Sequence, residues 1–400
     1  MSLQDLKQVD VAVVLKGGRR AGTLRREGGG TTFRYDEDHD GPDVALTLPR
    51  GDGPFHAAAG AVPPFFAGLL PEGRRLSVLR RAVKTSADDE LSLLLAIGSD
   101  AIGDVRVVPG TGSAPRPAGV APADLTRETF KDLYTRVLSD EPDDLVGLPG
   151  IQDKLSGGMI ALPMAWGVRP AILKLTPPEF PGVVENEAFF LGLARLAGVR
   201  VPDHEVVHDA SGAAGLLVAR FDRVVSDGEI TSLAQEDGCQ VLGLYPADKY
   251  RPSTEDVLEA LTEPCGAPVV AARDLLRQVA FSYAICNGDL HAKNLSIGMG
   301  PDGEWWPTPA YDVLSTHPYG DTSMALSIDG KLREDITRAN LIALGTRVGL
   351  PARATERVLD EVVSAIRPRL DDLDPLPFHP HRIHKLRRAI AWRLDALSAR

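Results

Sequence analysis

Apolar positions in this chain follow two periods, and the change between them divides it. Val9 to Leu15, Thr31 to Tyr35 and Val44 to Leu48 read as strands. Gly17-Gly18 and Gly28-Gly29-Gly30 punctuate the first two as turns. Helical spacing takes over around Leu69 to Leu79 and Leu91 to Ile97. Residues 109–123, PGTGSAPRPAGVAPA, carry no apolar period and read as a linker, and Thr126 to Leu138 reads as a short amphipathic helix. Ala171 to Leu175, Glu205 to Val207 and Leu216 to Phe221 read as further strands. Between them, Glu185 to Ala197 is a helix with a stripe at Phe189, Leu193 and Leu196, ended by Gly198. The rest is helical: Thr254 to Leu261, Val269 to Ile285, Leu341 to Val348, Ala354 to Ile366 and His384 to Leu397.

No repeat is visible at periods of about 20–50 residues. The expected organisation is an α+β unit over 1–110, a linker with a short helix over 111–142, a strand-rich region over 143–247 and a helical lobe over 248–400. Four hundred residues exceed one compact core, which agrees with several units. No run approaches the roughly 18 apolar residues of a membrane span. The first ten residues carry Asp5, Lys7 and Asp10 without an apolar stretch, so no secretory leader is expected. Three cysteines without a C-x-x-C pair exclude a disulfide framework, argue against zinc and fit a reducing cytoplasm.

A net charge of −11 argues against nucleic-acid binding by the whole surface. The C-terminus differs: Arg382, Lys385, Arg387, Arg388, Arg393 and Arg400 face Asp395 alone. On a helix, Lys385, Arg388 and Arg393 would share one face, either simply solvated or contacting phosphates.

The densest polar cluster is Cys286-Asn-Gly-Asp-Leu-His-Ala-Lys-Asn294, directly after an apolar helix. Asp289 and Asn294 have the spacing of a kinase catalytic loop, where the aspartate takes the hydroxyl proton and the asparagine oxygen ligates Mg²⁺. Asp312, in Ala310-Tyr-Asp-Val313, lies where a second Mg²⁺ ligand is needed. Asn-Gly-Asp alone is also a common turn, and the aspartate after Tyr311 alone could be a cap. Lys174 sits inside the apolar strand Ala171-Ile-Leu-Lys-Leu175, which is costly unless it is paired or at a sheet edge. In kinases such a lysine pairs with the phosphates and a helix glutamate; Glu185 and Glu187 are the candidates. Gly147-Leu-Pro-Gly150-Ile-Gln-Asp-Lys154 could cradle phosphates with its N–H groups. Val218-Ala-Arg-Phe-Asp-Arg223 ends a strand, either as an adenine hinge walled by Phe221 or as a strand end with Asp222 bound to an arginine.

With these residues, the chain resembles the HipA-like serine/threonine kinases, toxins of bacterial toxin–antitoxin modules. Phe65-Phe-Ala-Gly-Leu-Leu-Pro-Glu-Gly73 and Leu94 to Gly98 resemble the family's N-terminal part. Gln152-Asp-Lys154, Ile172-Leu-Lys174, Glu185-Asn-Glu187, Arg220-Phe-Asp-Arg223, Gln235-Glu-Asp237 and Asn287 to Asn294 resemble its kinase core. The resemblance implies a bilobal protein-kinase-like fold with an extra N-terminal subdomain. It implies Asp289 as the catalytic aspartate, Asn294 and Asp312 as Mg²⁺ ligands, and Lys174 on the phosphates of ATP. Pro149, Gly150, Ile151, Gln152, Asp153 and Lys154 would form the phosphate loop. Arg220 and Phe221 would form the hinge, with His291, Ala292, Lys293 and Tyr311 lining the nucleotide site. Its implied substrates are aminoacyl-tRNA synthetases. Its implied partner is a helix-turn-helix antitoxin bound to operator DNA.

Two positions depart from the family pattern. Gly147 stands where members often carry an autophosphorylated serine, and Ala219 where they often carry a glutamate. The alternatives are a catalytically silent kinase-like binding module, which the intact Asp289, Asn294 and Asp312 disfavour, and a small-molecule kinase.

Overall fold

The computed structural model describes residues 2–97, 101–110, 129–132, 160–300, 302–333 and 335–398. The expected phosphate loop at Pro149–Lys154 and Gly147, and nearly all of the expected linker, lie outside these residues.

The N-terminal unit is an antiparallel sheet of β1 (Val11–Lys16), β2 (Arg19–Glu27), β3 (Gly30–Tyr35), β4 (Phe55–Ala57) and β5 (Val105–Pro109), ordered β4-β3-β2-β1-β5. Alternation puts Ala12, Val14, Leu24 and Phe33 inside, against Phe65, Phe66, Leu91 and Leu95 of the helices that follow. Val44 to Leu48 is a loop rather than the expected strand. The Tyr35 hydroxyl accepts from the Val44 N–H at 2.7 Å and donates to the Leu48 carbonyl at 2.5 Å. Val44, Ala45 and Leu48 still point into the core, so the apolar pattern is that of a plug. The helical pattern at Leu69 to Leu79 is broken as well. Helices span Pro64–Gly68 and Gly73–Val83, and Leu69 to Glu72 joins them through Pro71.

A second sheet contains β6 (Ile160–Trp166), β7 (Arg169–Leu175), β8 (His204–His208) and β9 (Ala214–Ala219), ordered β6-β7-β9-β8. Lys174 is therefore on an interior strand. Ala171, Leu173 and Leu175 pack on one face with Phe130, Leu162, Met164 and Leu217. The period of two turns Lys174 to the other face, toward the helix Val183–Leu196. That helix buries Val184, Phe190, Leu191, Leu193 and Ala194, while Leu196 is exposed; the core stripe is rotated from the expected one.

β10 (Arg223–Ser226) and β11 (Glu229–Ser232) form a hairpin, and β12 (Gln235–Asp237), β13 (Ser296–Met299) and β14 (Trp305–Pro307) form a small antiparallel sheet. The remaining helices are Gly238–Val241, Thr254–Thr262, Pro268–Ala284, Arg338–Arg347, Ala352–Ile366 and Pro380–Ser398. Pro268–Ala284 is central, burying Leu275, Leu276, Val279 and Phe281. Its C-terminus delivers the Cys286–Asn294 segment. On the last helix Arg382, Lys385 and Arg388 are exposed. Arg393 does not join them: it is buried and donates to the carbonyls of Tyr283 at 2.7 Å and Thr322 at 2.5 Å. Among the described residues no helix is long and apolar enough to cross a membrane.

Candidate functional site

The polar residues singled out from the sequence fall into four groups. The first is an ion-pair triad. Lys174 Nζ lies 2.5 Å from Glu187 Oε1 and 2.5 Å from Asp312 Oδ1. Glu187, not Glu185, is the helix partner. Its side chain is 1% exposed against 25% for Asp312, so one carboxylate is interior and the other faces an opening. Burial disfavours the ammonium of Lys174, yet Asp312 and Glu187 outweigh it and hold its pKa above the ordinary value. Burial holds the Glu187 carboxyl above the usual carboxylate range; Lys174 opposes this and Asp312 adds to it. Asp312 takes a left-handed backbone, φ +53°, a conformation a non-glycine residue keeps only where its surroundings fix it.

The neighbour of Glu187 holds the segment that follows. Asn186 is fully buried; its Nδ2 donates to the Ser315 carbonyl at 2.8 Å and its Oδ1 accepts the Ser315 N–H at 3.1 Å. One turn of helix thus grips both the lysine and the segment after Asp312.

The second group is the loop at Asp289. Cys286 has φ +60°, and its carbonyl accepts from the Thr316 N–H at 3.0 Å. The Thr316 hydroxyl in turn accepts the Gly288 N–H at 2.8 Å. A Cβ on Gly288 would stand 2.6 Å from the Ser323 carbonyl oxygen, so only glycine fits there. Asp289 is 2% exposed. Its N–H donates to Asn287 Oδ1 at 3.0 Å, and the Tyr250 hydroxyl donates to its Oδ1 at 3.3 Å. Burial and the Asp289 charge both raise the Tyr250 phenol pKa, which keeps that hydroxyl a donor. Asn294 Nδ2 donates to the Asp289 carbonyl at 2.8 Å, closing the loop and leaving the amide oxygen for another partner. His291 is buried with its ring edge-on to Tyr250, centroids 5.1 Å apart.

The third group joins Lys293, Tyr311 and Phe221. Tyr311 donates to the Lys293 carbonyl at 2.6 Å, bonds Ser296 and stacks on Phe221 with centroids 5.9 Å apart. The Lys293 ammonium turns to Asp237 at 2.8 Å and to the Gly68 carbonyl at 3.0 Å. Ala292 is buried, its N–H donating to the Lys249 carbonyl at 3.1 Å.

The fourth group is separate. Arg220 and Arg223 both pair with Asp222, at 2.7 and 2.6 Å, and both donate to the Ala101 carbonyl. They pull the buried Asp222 carboxyl below its ordinary pKa against the effect of burial. Of the two readings of this strand end, the salt-bridged one describes Arg220, while Phe221 turns to Tyr311. A cavity of about 360 Å³ borders the same segment, lined in part by Arg169, Pro202, Ala219 and Phe221.

Asp312 offers carboxylate oxygen and Asn294 amide oxygen, the hard donors that Mg²⁺ accepts alongside phosphate and water. The residues present fit that ion. Among the described residues no cluster of three or more His, Cys, Asp or Glu side chains forms a metal cage. Sequence reasoning gave no role to Tyr250, Asp237, Asn186 or Glu72; the last three stood in quoted motifs, and Tyr250 had no local signal.

Comparisons with known proteins converge. Residues 146–370 match the model of the HipA-like C-terminal domain, and residues 12–108 that of the HipA N-terminal domain. Putative kinase Y4mE of Sinorhizobium fredii is 30% identical over 392 residues, covering 90% of this chain and 92% of the relative. Putative kinase Y4dM of the same organism is 30% identical over 365 residues, 83% of each. Among solved structures, a chain of the Shewanella oneidensis HipA, HipB and operator DNA complex superposes with a TM-score of 0.74 at 24% identity, covering 97% of this chain and 96% of its own.

Proposed function

The chain belongs to the HipA-like family of kinase-like proteins, and from that premise we propose that it is a serine/threonine protein kinase using Mg-ATP. The observation that carries the reading is Lys174, buried between Glu187 and Asp312. A charged lysine on an interior strand is costly, and phosphate binding beside a metal-ligating aspartate is the task that requires it. In this reading the N-terminal unit over 1–110 and the linker of 111–142 precede two lobes, 143–247 and 248–400, with the site between them.

Phosphoryl transfer asks for positioning and charge neutralisation rather than covalent catalysis. Lys174 neutralises phosphate oxygens, and Glu187 holds it in place. The expected phosphate loop, Pro149 to Lys154, lies outside the described residues, and its role in this reading is to offer the N–H groups of Gly150 to Lys154 to the phosphates. Phe221 and Tyr311 stack near the base, with Arg220, His291, Ala292 and Lys293 setting the surrounding walls. Asn294 and Asp312 would hold Mg²⁺, which would supply positive charge to offset that of the phosphates. Asp289 orients the attacking hydroxyl and takes its proton, and Tyr250 holds the Asp289 carboxylate in place.

The protein substrate to test first is an aminoacyl-tRNA synthetase, whose modification would arrest growth. A helix-turn-helix antitoxin and, through it, operator DNA are the proposed partners. The Shewanella complex contains HipB and DNA, and the exposed Arg382, Lys385 and Arg388 offer cations on an acidic protein. Three buried free cysteines suit a cytoplasmic location.

The test is incubation of the purified protein with γ-labelled ATP, Mg²⁺ and a bacterial lysate, beside Asp289→Asn. The expected result is a labelled protein band with wild type only, and nucleotide binding retained by the variant. Label of equal strength in both lanes, or loss of nucleotide binding in the variant, would overturn the assignment of Asp289.

A further inference from the structure

The Phe65–Gly73 motif lies about 220 residues upstream of Asp289 in sequence, and the site described above assigns it no chemistry. The fold brings it against the Asp289 loop. The Gly68 carbonyl accepts from Lys293 Nζ at 3.0 Å, and Glu72 Oε1, itself buried, lies 3.8 Å from the same nitrogen. The other Glu72 oxygen pairs with Lys249. Lys249 closes the circuit, its carbonyl accepting the Ala292 N–H at 3.1 Å. One carboxylate of the N-terminal unit thus touches two lysines, one within the Ala292–Asn294 turn and one bonded to it through the backbone. Asp237 completes the neutralisation of Lys293 at 2.8 Å.

The approach is close and specific. A Cβ on Gly68 would stand 2.7 Å from the Gln240 side chain, and Gln240 Nε2 donates to the Phe65 carbonyl at 3.0 Å. A larger residue at 68 would push the carbonyl off Lys293. Apolar contacts would join the two units at lower desolvation cost than an ammonium hydrogen-bonded to one carboxylate with a second 3.8 Å away. What the ionic contact adds is direction, because it fixes the turn whose last residue, Asn294, offers its amide oxygen to a cation.

We propose that Glu72, with the Gly68 carbonyl, is a positioning residue for phosphoryl transfer: the N-terminal unit sets the Ala292–Asn294 turn through Lys293 and Lys249. The proposal rests on the kinase reading for its consequence in catalysis, and on the geometry alone for the anchoring.

The test uses the full chain, comparing wild type, Glu72→Gln and Glu72→Ala. Steady-state phosphoryl transfer is measured at varied ATP and varied Mg²⁺, together with the melting temperature. For Glu72→Gln we expect a fall in kcat of about tenfold, within the roughly hundredfold that a 1 Å displacement of a catalytic group can cost, and a higher Mg²⁺ requirement. The melting temperature should stay near the wild-type value. Wild-type kcat and Mg²⁺ dependence in both variants would overturn the proposal, as would a loss of kcat that only tracks loss of folded protein. Hydrogen–deuterium exchange over residues 290–296 separates this failure from that of the kinase reading. If wild type transfers no phosphate, the kinase reading falls. Faster exchange in that segment alone in Glu72→Gln would then still support the anchor, and unchanged exchange would overturn it.

Discussion

Lys174→Met tests the triad at its centre, because it separates the stability of the site from its chemistry. The substitution keeps the length of the side chain and removes the ammonium. Glu187, 1% exposed, loses the cation that opposed its burial and must either stay charged in the interior or take up a proton, while Asp312, 25% exposed, can turn to water. Breaking a buried pair by removing one partner costs about 3–5 kcal/mol, nearly all of it the stranded charge. Here Glu187 carries that cost, and its Oε2 is buried without a hydrogen-bond partner. For a unit of this size the melting temperature should fall by about 10 °C. Adding Glu187→Leu removes the stranded charge, and the double variant should return to within about 2 kcal/mol of wild type. Phosphoryl transfer should remain lost in both, because nothing replaces the cation on the phosphates. Denaturant titration followed by intrinsic fluorescence, with single-turnover transfer of labelled phosphate, measures both quantities. A single variant as stable as wild type would refute the reasoning. A double variant no more stable than the single one would do so too, and restored transfer in the double variant would show that Lys174 does not serve the phosphates.

Other expectations follow from the same geometry. Asp312→Ala should abolish the Mg²⁺-dependent part of nucleotide binding, read by calorimetry with and without Mg²⁺; an unchanged difference between the two titrations would remove Asp312 as a ligand. Glu236 joins the N-terminal unit to the core by accepting the Leu46 N–H at 2.8 Å, and burial pushes its carboxyl up to about 7. Lys16 opposes that shift, while Asp237 and Asp104 add to it. Because the folded pKa exceeds the unfolded one, the favourable contribution is full below about pH 4.5 and is lost as pH rises through about 7. Glu236→Gln should therefore flatten the stability profile between pH 5 and 8 and gain up to roughly 3 kcal/mol at the upper end; parallel profiles for wild type and variant would count against it.

Part of the geometry of the candidate site was legible because it is local. Asp289 and Asn294 lie on one short loop, and five residues of spacing suffice to close it through the Asn294 to Asp289 carbonyl bond. Lys174 was legible because a lone charge in an apolar strand is expensive wherever that strand packs. Helices of the C-terminal half kept their expected places within a few residues, since a 3.6-residue period survives any docking angle. Where pattern and structure parted, the apolar residues were read correctly as buried and wrongly as regular: Val44 to Leu48 fills the core as a loop held by Tyr35. The apolar stripe of Val183–Leu196 came out rotated, which exposed Leu196.

The sequence by itself determined most of the helices, the α+β class and the identity of the charged residues that need a partner. Only the tertiary structure decided which partner each one takes. Glu185 and Glu187 were equal candidates, and the docking of their helix on β7 chose Glu187. Arg393 was counted with the exposed cations until helix packing aimed it at two backbone carbonyls. The contact of Lys293 with Gly68 and Glu72 had no local trace, because it joins segments 225 and 221 residues apart. Short-range patterns record how a segment folds on itself; ion pairs between distant segments depend on the relative placement of whole units, which packing fixes last.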